Sequence, residues 1–141
     1  MNKYFKFWLT IIILIVSLKL CSFIVYYPSS PDKGKIVEII DGDTYKVLVG
    51  HTIIKVRIIG VDVAEKWSVN GIIAINKLKE YMPIGSTVYL EYDIQKTDKY
   101  GRTLAHVWYK EEQLRYWLLN NVEAVDMWIK PNYKYKLTQD Y

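Results

Sequence analysis

The stretch KIVEIIDGDTYKVLVGHTIIKVRIIGV, Lys35 to Val61, decides how the rest of the chain is read. It is rich in β-branched residues and alternates or runs apolar, so it reads as consecutive strands. Gly50–His51–Thr52 is a hairpin turn between two of them. One feature resists that pattern. Asp41 and Asp43 stand two residues apart in a strand-like segment, although carboxylates are poor strand formers. Read as strand, they share one face. Read as a turn, Asp41–Gly42 is a common turn dipeptide.

Working outward, SVNGIIAINKLKEYM places Ile72, Ile75, Leu78 and Met82 at helical spacing. Ser68 or Asn70 caps this helix, and Pro83 with Gly85 ends it. STVYLEYDI is a fourth strand, TDKYGRT a polar turn and LAHVWY a fifth strand. KEEQLRYWLLNN is a second helix, acidic at its start and closed by Asn121. The expected fold is mainly β with helices: a five-stranded closed barrel of the oligonucleotide-binding (OB) type with two helices. An N-terminal hydrophobic helix precedes it. Such a fold hosts many functions, so the site must decide.

Before Lys35 the chain changes character. Residues 7–27, FWLTIIILIVSLKLCSFIVYY, are almost wholly apolar, with Lys3 and Lys6 ahead of them. This is a signal peptide or a membrane anchor, with lipidation at Cys21 a third course. The lysines favour a domain outside the cytoplasm, membrane-anchored or secreted. The divisions expected are 1–31 for leader and linker, 32–133 for the folded domain and 134–141 for a tail. The chain is expected to act as a monomer, with a membrane partner only through its leader. The net charge of +4 belongs largely to the leader. Beyond Pro31 the 16 Lys and Arg nearly balance the 15 Asp and Glu, so bulk charge does not argue for a nucleic-acid partner. Cys21 is the only cysteine, which excludes a disulfide or thiolate metal site in the domain.

Four polar clusters carry candidate chemistry: Asp41 with Asp43; Arg57; Asp62 with Glu65; and Asp98 to Arg102. The chain has 16 Lys against 3 Arg, yet Arg57 sits within an apolar strand and Arg102 follows a turn glycine. Arginine offers a planar fork that matches a phosphate, which lysine does not. Hard oxygen ligands suit Ca²⁺ or Mg²⁺. His51 and His106 stand alone and read as structural or solvent-exposed. A patch of carboxylates and arginines around such a cation meets the needs of phosphodiester hydrolysis. The competing readings are an OB-fold module that binds nucleic acid without cutting it, and a shortened, weakly stable chain.

Three blocks, VEIIDGDTYKV, VRIIGVDVAE and TDKYGRTLAHVW, resemble the staphylococcal nuclease (thermonuclease) family in order and spacing. The resemblance runs from about Lys35 to Asn132. It implies that Asp43 and Asp62, with the main-chain carbonyl of Val63, bind a catalytic Ca²⁺. It implies further that Glu65 activates water and that Arg57 and Arg102 grip the scissile phosphate, with Asp41 a nearby supporting acid. The implied substrate is DNA or RNA, cut with little sequence preference. Three departures are visible, one of them Met127, Trp128 and Ile129 at the KPN segment, where the family has tyrosines that stack on the base and Trp128 either stacks instead or packs in the core. Ala64 stands where the family usually has Pro, which leaves Glu65 less rigidly set. The family's further helix after the KPN segment has no counterpart in Tyr133 to Tyr141, so apolar surface is expected to be uncovered.

Overall fold

A computed structural model describes residues 31–136, and the apolar leader lies outside them. Five strands build the barrel: β1 (Asp32–Asp41), β2 (Thr44–Val49), β3 (Thr52–Ile58), β5 (Thr87–Glu91) and β6 (Thr103–Tyr109). They run in the order β3-β2-β1-β5-β6, and a parallel pairing of β3 with β6 closes the sheet on itself. Closure leaves no open edge between these two strands, as the OB reading requires. The interior is filled by alternate side chains, among them Ile36, Tyr45, Val47, Val56, Val88, Leu90 and Val107, each at most 1% exposed.

Helix α1 (Val69–Tyr81) plugs one end with Ala74 and Leu78, and Met82 follows it into the core. Its cap is Ser68, whose hydroxyl accepts from the Gly71 amide. Helix α2 (Leu114–Asn121) covers another side with Leu114 and Leu118. Short strands β4 (Gly60–Val63) and β8 (Ala124–Met127) pair as a separate ribbon, and β7 (Glu112–Gln113) extends the main sheet.

Three sequence expectations need correction. Asp41 and Asp43 do not lie on one strand: β1 ends at Asp41, and Gly42–Asp43 form the tight turn into β2. The second helix begins at Leu114 rather than among the preceding acids. Lys110 and Glu111 adopt positive φ (49° and 67°) and turn the chain from β6 into β7. Asn121 does not adopt a left-handed cap. It remains helical, with its side chain donating to the Trp117 carbonyl, and Val122 leaves the helix in extended conformation.

Residues past the Lys130–Pro131 bond fold back on the barrel. Asn132 exchanges hydrogen bonds with the main chain of Gln95, and the Lys134 amide donates to Asp93. The Tyr135 hydroxyl donates to Glu91 at 2.7 Å, and its ring packs edge-on against His106 and Trp108. Among the described residues no helix is long and apolar enough to cross a membrane.

Candidate active site

The β1–β2 turn, the β3–β4 corner and the β5–β6 loop meet around a cavity of about 640 Å³. Asp41, Asp43, Arg57, Asp62, Val63, Glu65 and Arg102 all line it, so every candidate residue from the sequence faces one space.

The turn is fixed by close packing. A Cβ on Gly42 would stand 2.3 Å from Val63 Cγ1, so only glycine lets the turn press against β4. The buried Tyr45 hydroxyl donates to the Gly42 carbonyl at 2.5 Å, holding the turn from below. Asp43 is thereby buried. Its carboxylate accepts from the Val63 amide at 3.0 Å and from the Thr44 hydroxyl at 3.0 Å. Burial pushes the Asp43 carboxyl above its ordinary pKa, against the opposing pull of Arg57.

Arg57 pairs with Thr44 across β2–β3 and points away from the core. One terminal nitrogen donates to the Ile58 and Val61 carbonyls, both at 2.7 Å. The other lies 2.9 Å from Asp62 Oδ1 and 3.2 Å from Asp43 Oδ2. The guanidinium therefore ties the β3–β4 corner together and draws both carboxylates toward one point. Most of its donors are spent inside the protein. Arg102 is held differently. Asp98 accepts its side-chain Nε and its amide, and the guanidinium lies over the Tyr100 ring, which leaves its terminal nitrogens without a hydrogen-bond partner among the described residues. Those bonds outweigh the desolvation that opposes them, so the Asp98 carboxyl sits below its ordinary value.

The Glu65 side chain is exposed and makes no hydrogen bond or ion pair among the described residues, while its main chain is tightly held. The Ser68 amide and hydroxyl both donate to the Glu65 carbonyl, at 2.8 and 2.7 Å. A Cβ on Gly71 would lie 1.9 Å from that carbonyl oxygen, so the first turn of α1 packs directly on Glu65. The looseness expected from Ala64 is offset by this contact from the other side.

Sequence reasoning missed Arg115. It is 6% exposed and spans three elements, donating to the Gly60 carbonyl at 2.8 Å and to Asp126 at 2.6 Å while lying over Trp128. It sets the start of β4, and so the approach of Asp62 to the cavity. Its rarity in a lysine-rich chain was the available signal. His106 is 1% exposed, as a core residue, and His51 is exposed in the β2–β3 turn.

Whether these residues suit a cation depends on donor chemistry. Among the described residues, no three His, Cys, Asp or Glu side chains gather into a cage. Asp43 and Asp62 offer two carboxylates converging on Arg57, with the Val63 amide bonded to Asp43 and an open cavity beyond. An all-oxygen, incomplete set fits a hard divalent ion that keeps several waters, and does not fit a zinc site.

A scan against protein-family models finds no match. Individual relatives do match. The chain is 37% identical over 108 residues to a thermonuclease of Staphylococcus hyicus, covering 72% of this chain and 63% of that protein. It is 37% identical over 105 residues to a thermonuclease of Staphylococcus intermedius, covering 70% and 62%. An uncharacterized endonuclease of Escherichia coli O157:H7 is 31% identical over 75 residues, covering 53% and 47%. The chain thus spans about three-fifths of the length of the two thermonucleases. With the barrel closed as expected and the three blocks meeting around one cavity, the described domain belongs to the staphylococcal nuclease (thermonuclease) family.

Proposed function

We propose that the protein is a Ca²⁺-dependent phosphodiesterase that hydrolyses DNA or RNA with little sequence preference. The observation that carries this reading is the shared cavity: a side chain free to take a proton, Glu65, faces it together with unspent guanidinium nitrogens on Arg102. The names of the relatives, thermonuclease and endonuclease, support the same class of chemistry.

Each residue then has a defined task. Arg102 donates its terminal nitrogens to non-bridging oxygens of the scissile phosphate, oriented by Asp98. Arg57 keeps Asp43 and Asp62 converged and adds positive charge beside the phosphate. Glu65 accepts the proton of a water aligned for attack on phosphorus. As the new P–O bond forms, the ester P–O bond breaks and the leaving oxygen takes a proton from solvent. Asp43, Asp62 and the Val63 carbonyl would hold the Ca²⁺, which supplies Lewis-acid neutralisation of charge on the phosphate. The reading includes an extracytoplasmic setting, anchored or secreted, supported by the lysine-flanked apolar residues 7–27. The full chain, incubated with labelled single-stranded DNA in Ca²⁺, Mg²⁺ or EDTA, tests the proposal. Cleavage is expected with Ca²⁺ and none with chelator; intact DNA under every condition from folded protein would refute it.

A further inference from the structure

Beside the cavity, the outer face of β1–β2–β3 carries a pattern that the active-site residues do not use. Strand register sorts it into rows. The row Asp41–Thr44–Arg57 lines the cavity. The next row is Glu38–Lys46–Lys55, and the row beyond is Lys35–Leu48–Ile53. Lys35 and Lys55 are exposed, and Ile53 is 55% exposed, a large apolar side chain left open to solvent. Among the described residues Glu38 bonds only Lys46, at 2.5 Å, so it offsets one of the lysines and leaves the face cationic.

The loop after Glu65 adds to this face. Lys66 follows the candidate base and lies over the Trp67 ring, 4.3 Å from its centroid. Trp67 itself is 77% exposed, more than any other large apolar side chain among the described residues. Glu65, the residue before Lys66, lines the same cavity as the Asp41–Thr44–Arg57 row. So the loop and the strands converge, and an aromatic plane stands at the edge of a cationic sheet surface next to the cavity.

From this juxtaposition we infer that the β2–β3 face is a binding track for a single-stranded polynucleotide, with phosphates on Lys55 and Lys66 and an unpaired base stacked on Trp67. This rests on the nuclease reading above and specifies the form of its substrate. Two physical arguments support it. Exposed tryptophan costs solvation unless something covers it, and every nucleobase offers a face to stack on, provided it is unpaired. Lysines spaced along a strand face neutralise a polyanion without reading its sequence. The OB architecture places its oligonucleotide surface on this same pair of strands.

The test uses the full chain in a Glu65→Gln background, with a labelled oligothymidylate and fluorescence anisotropy in EDTA across a salt series. Lys55→Gln with Lys66→Gln should lower the slope of log K against log salt by roughly 1.4, the share of two single-strand phosphates. Trp67→Ala should weaken binding about tenfold, and Trp67→Phe should restore most of it. Lys79→Gln, on α1 away from the face, should change neither. A self-complementary duplex should bind without sensitivity to Trp67. Unchanged slope and affinity in the lysine and tryptophan variants would overturn the track, as would a wild-type chain that does not bind the oligonucleotide. The two readings fail separately. A chain that cleaves DNA but binds regardless of these side chains loses only the track. A chain whose binding depends on them but cleaves nothing in any divalent metal loses only the nuclease activity.

Discussion

Two groups of buried charge flank the barrel, and they have opposite characters. At the β3–β4 corner, Asp43, Arg57 and Asp62 converge beside an open cavity, with Glu65 and the tip of Arg102 facing into it. At the β5–β6 side, Glu91, Asp93 and His106 are covered by the returning segment. Glu91 there accepts from Trp108, Tyr135 and the Lys134 ammonium. Both groups hold carboxylates removed from water. Only the first leaves polar atoms directed at empty space. Buried charge alone therefore does not mark a site, since it occurs wherever a strap must be pinned down. The His106 ring nitrogens also lack a hydrogen-bond partner, but they are buried and do not line the cavity, so what marks a site is rigid charge with donors and acceptors unspent toward open space.

The sharpest way to break this comparison is to disable each group in turn. Glu65→Gln should lower the cleavage rate by about 10²–10⁴ while the thermal transition stays in place, because its side chain makes no internal bond. Steady-state kinetics alongside a melt would check both halves. Glu91→Gln should do the reverse. Removing the charge under the Lys134 and Tyr135 contacts should cost roughly 3 kcal/mol of stability by denaturant titration, with little change in rate per folded molecule. If Glu91→Gln abolished cleavage without destabilising the fold, the division between the two groups would collapse.

Acid should also distinguish them. Burial pulls the His106 pKa down from 6.5 to about 4, against the pull of Asp93 and Glu91. The folded state thus keeps His106 neutral where the unfolded chain takes up a proton. Its contribution is complete above about pH 6.5 and is lost as pH falls from there toward 4, amounting to about 3 kcal/mol. Unfolding curves across that window should show the loss, and a His106→Phe variant should show a smaller slope.

A smaller effect separates packing from propensity at the active-site edge. Alanine normally stabilises a helix over glycine by about 1 kcal/mol. Gly71→Ala should instead destabilise the fold and slow cleavage, because the new Cβ meets the Glu65 carbonyl. A more stable and fully active variant would show that α1 does not set Glu65. Smallest of all, Asn132→Ala should remove its paired bonds to the Gln95 main chain, costing about 1 kcal/mol in a melt and nothing in rate.

The strands, the first helix and its Ser68 cap were legible because side-chain periodicity and capping chemistry are local. The resemblance carried the candidate residues, and these do share a cavity. What could not be read was how tightly each side chain is engaged. Arg57 and Arg102 look alike in the sequence, yet one is consumed by four internal contacts and the other keeps its terminal nitrogens open. Arg115 reads in the sequence only as an arginine on the second helix, and it is a buried fork across α2, β4 and β8. The Asp41–Asp43 segment reads in the sequence as strand or turn, with the two acids on one face only if it is strand. It is a turn and part of the site together, because Gly42 lets it pack on Val63.

The amino-acid order by itself determined where the chain extends, coils and bends, since those preferences act over a few neighbouring residues. It also supplied the inventory of hard ligands and forked donors. Only the closed barrel decided which of those groups meet, which are exhausted by internal bonds and which remain free toward the cavity. That outcome depends on contacts between segments far apart in the chain, such as Gly42 with Val63 and Arg115 with Gly60, and no local pattern encodes them.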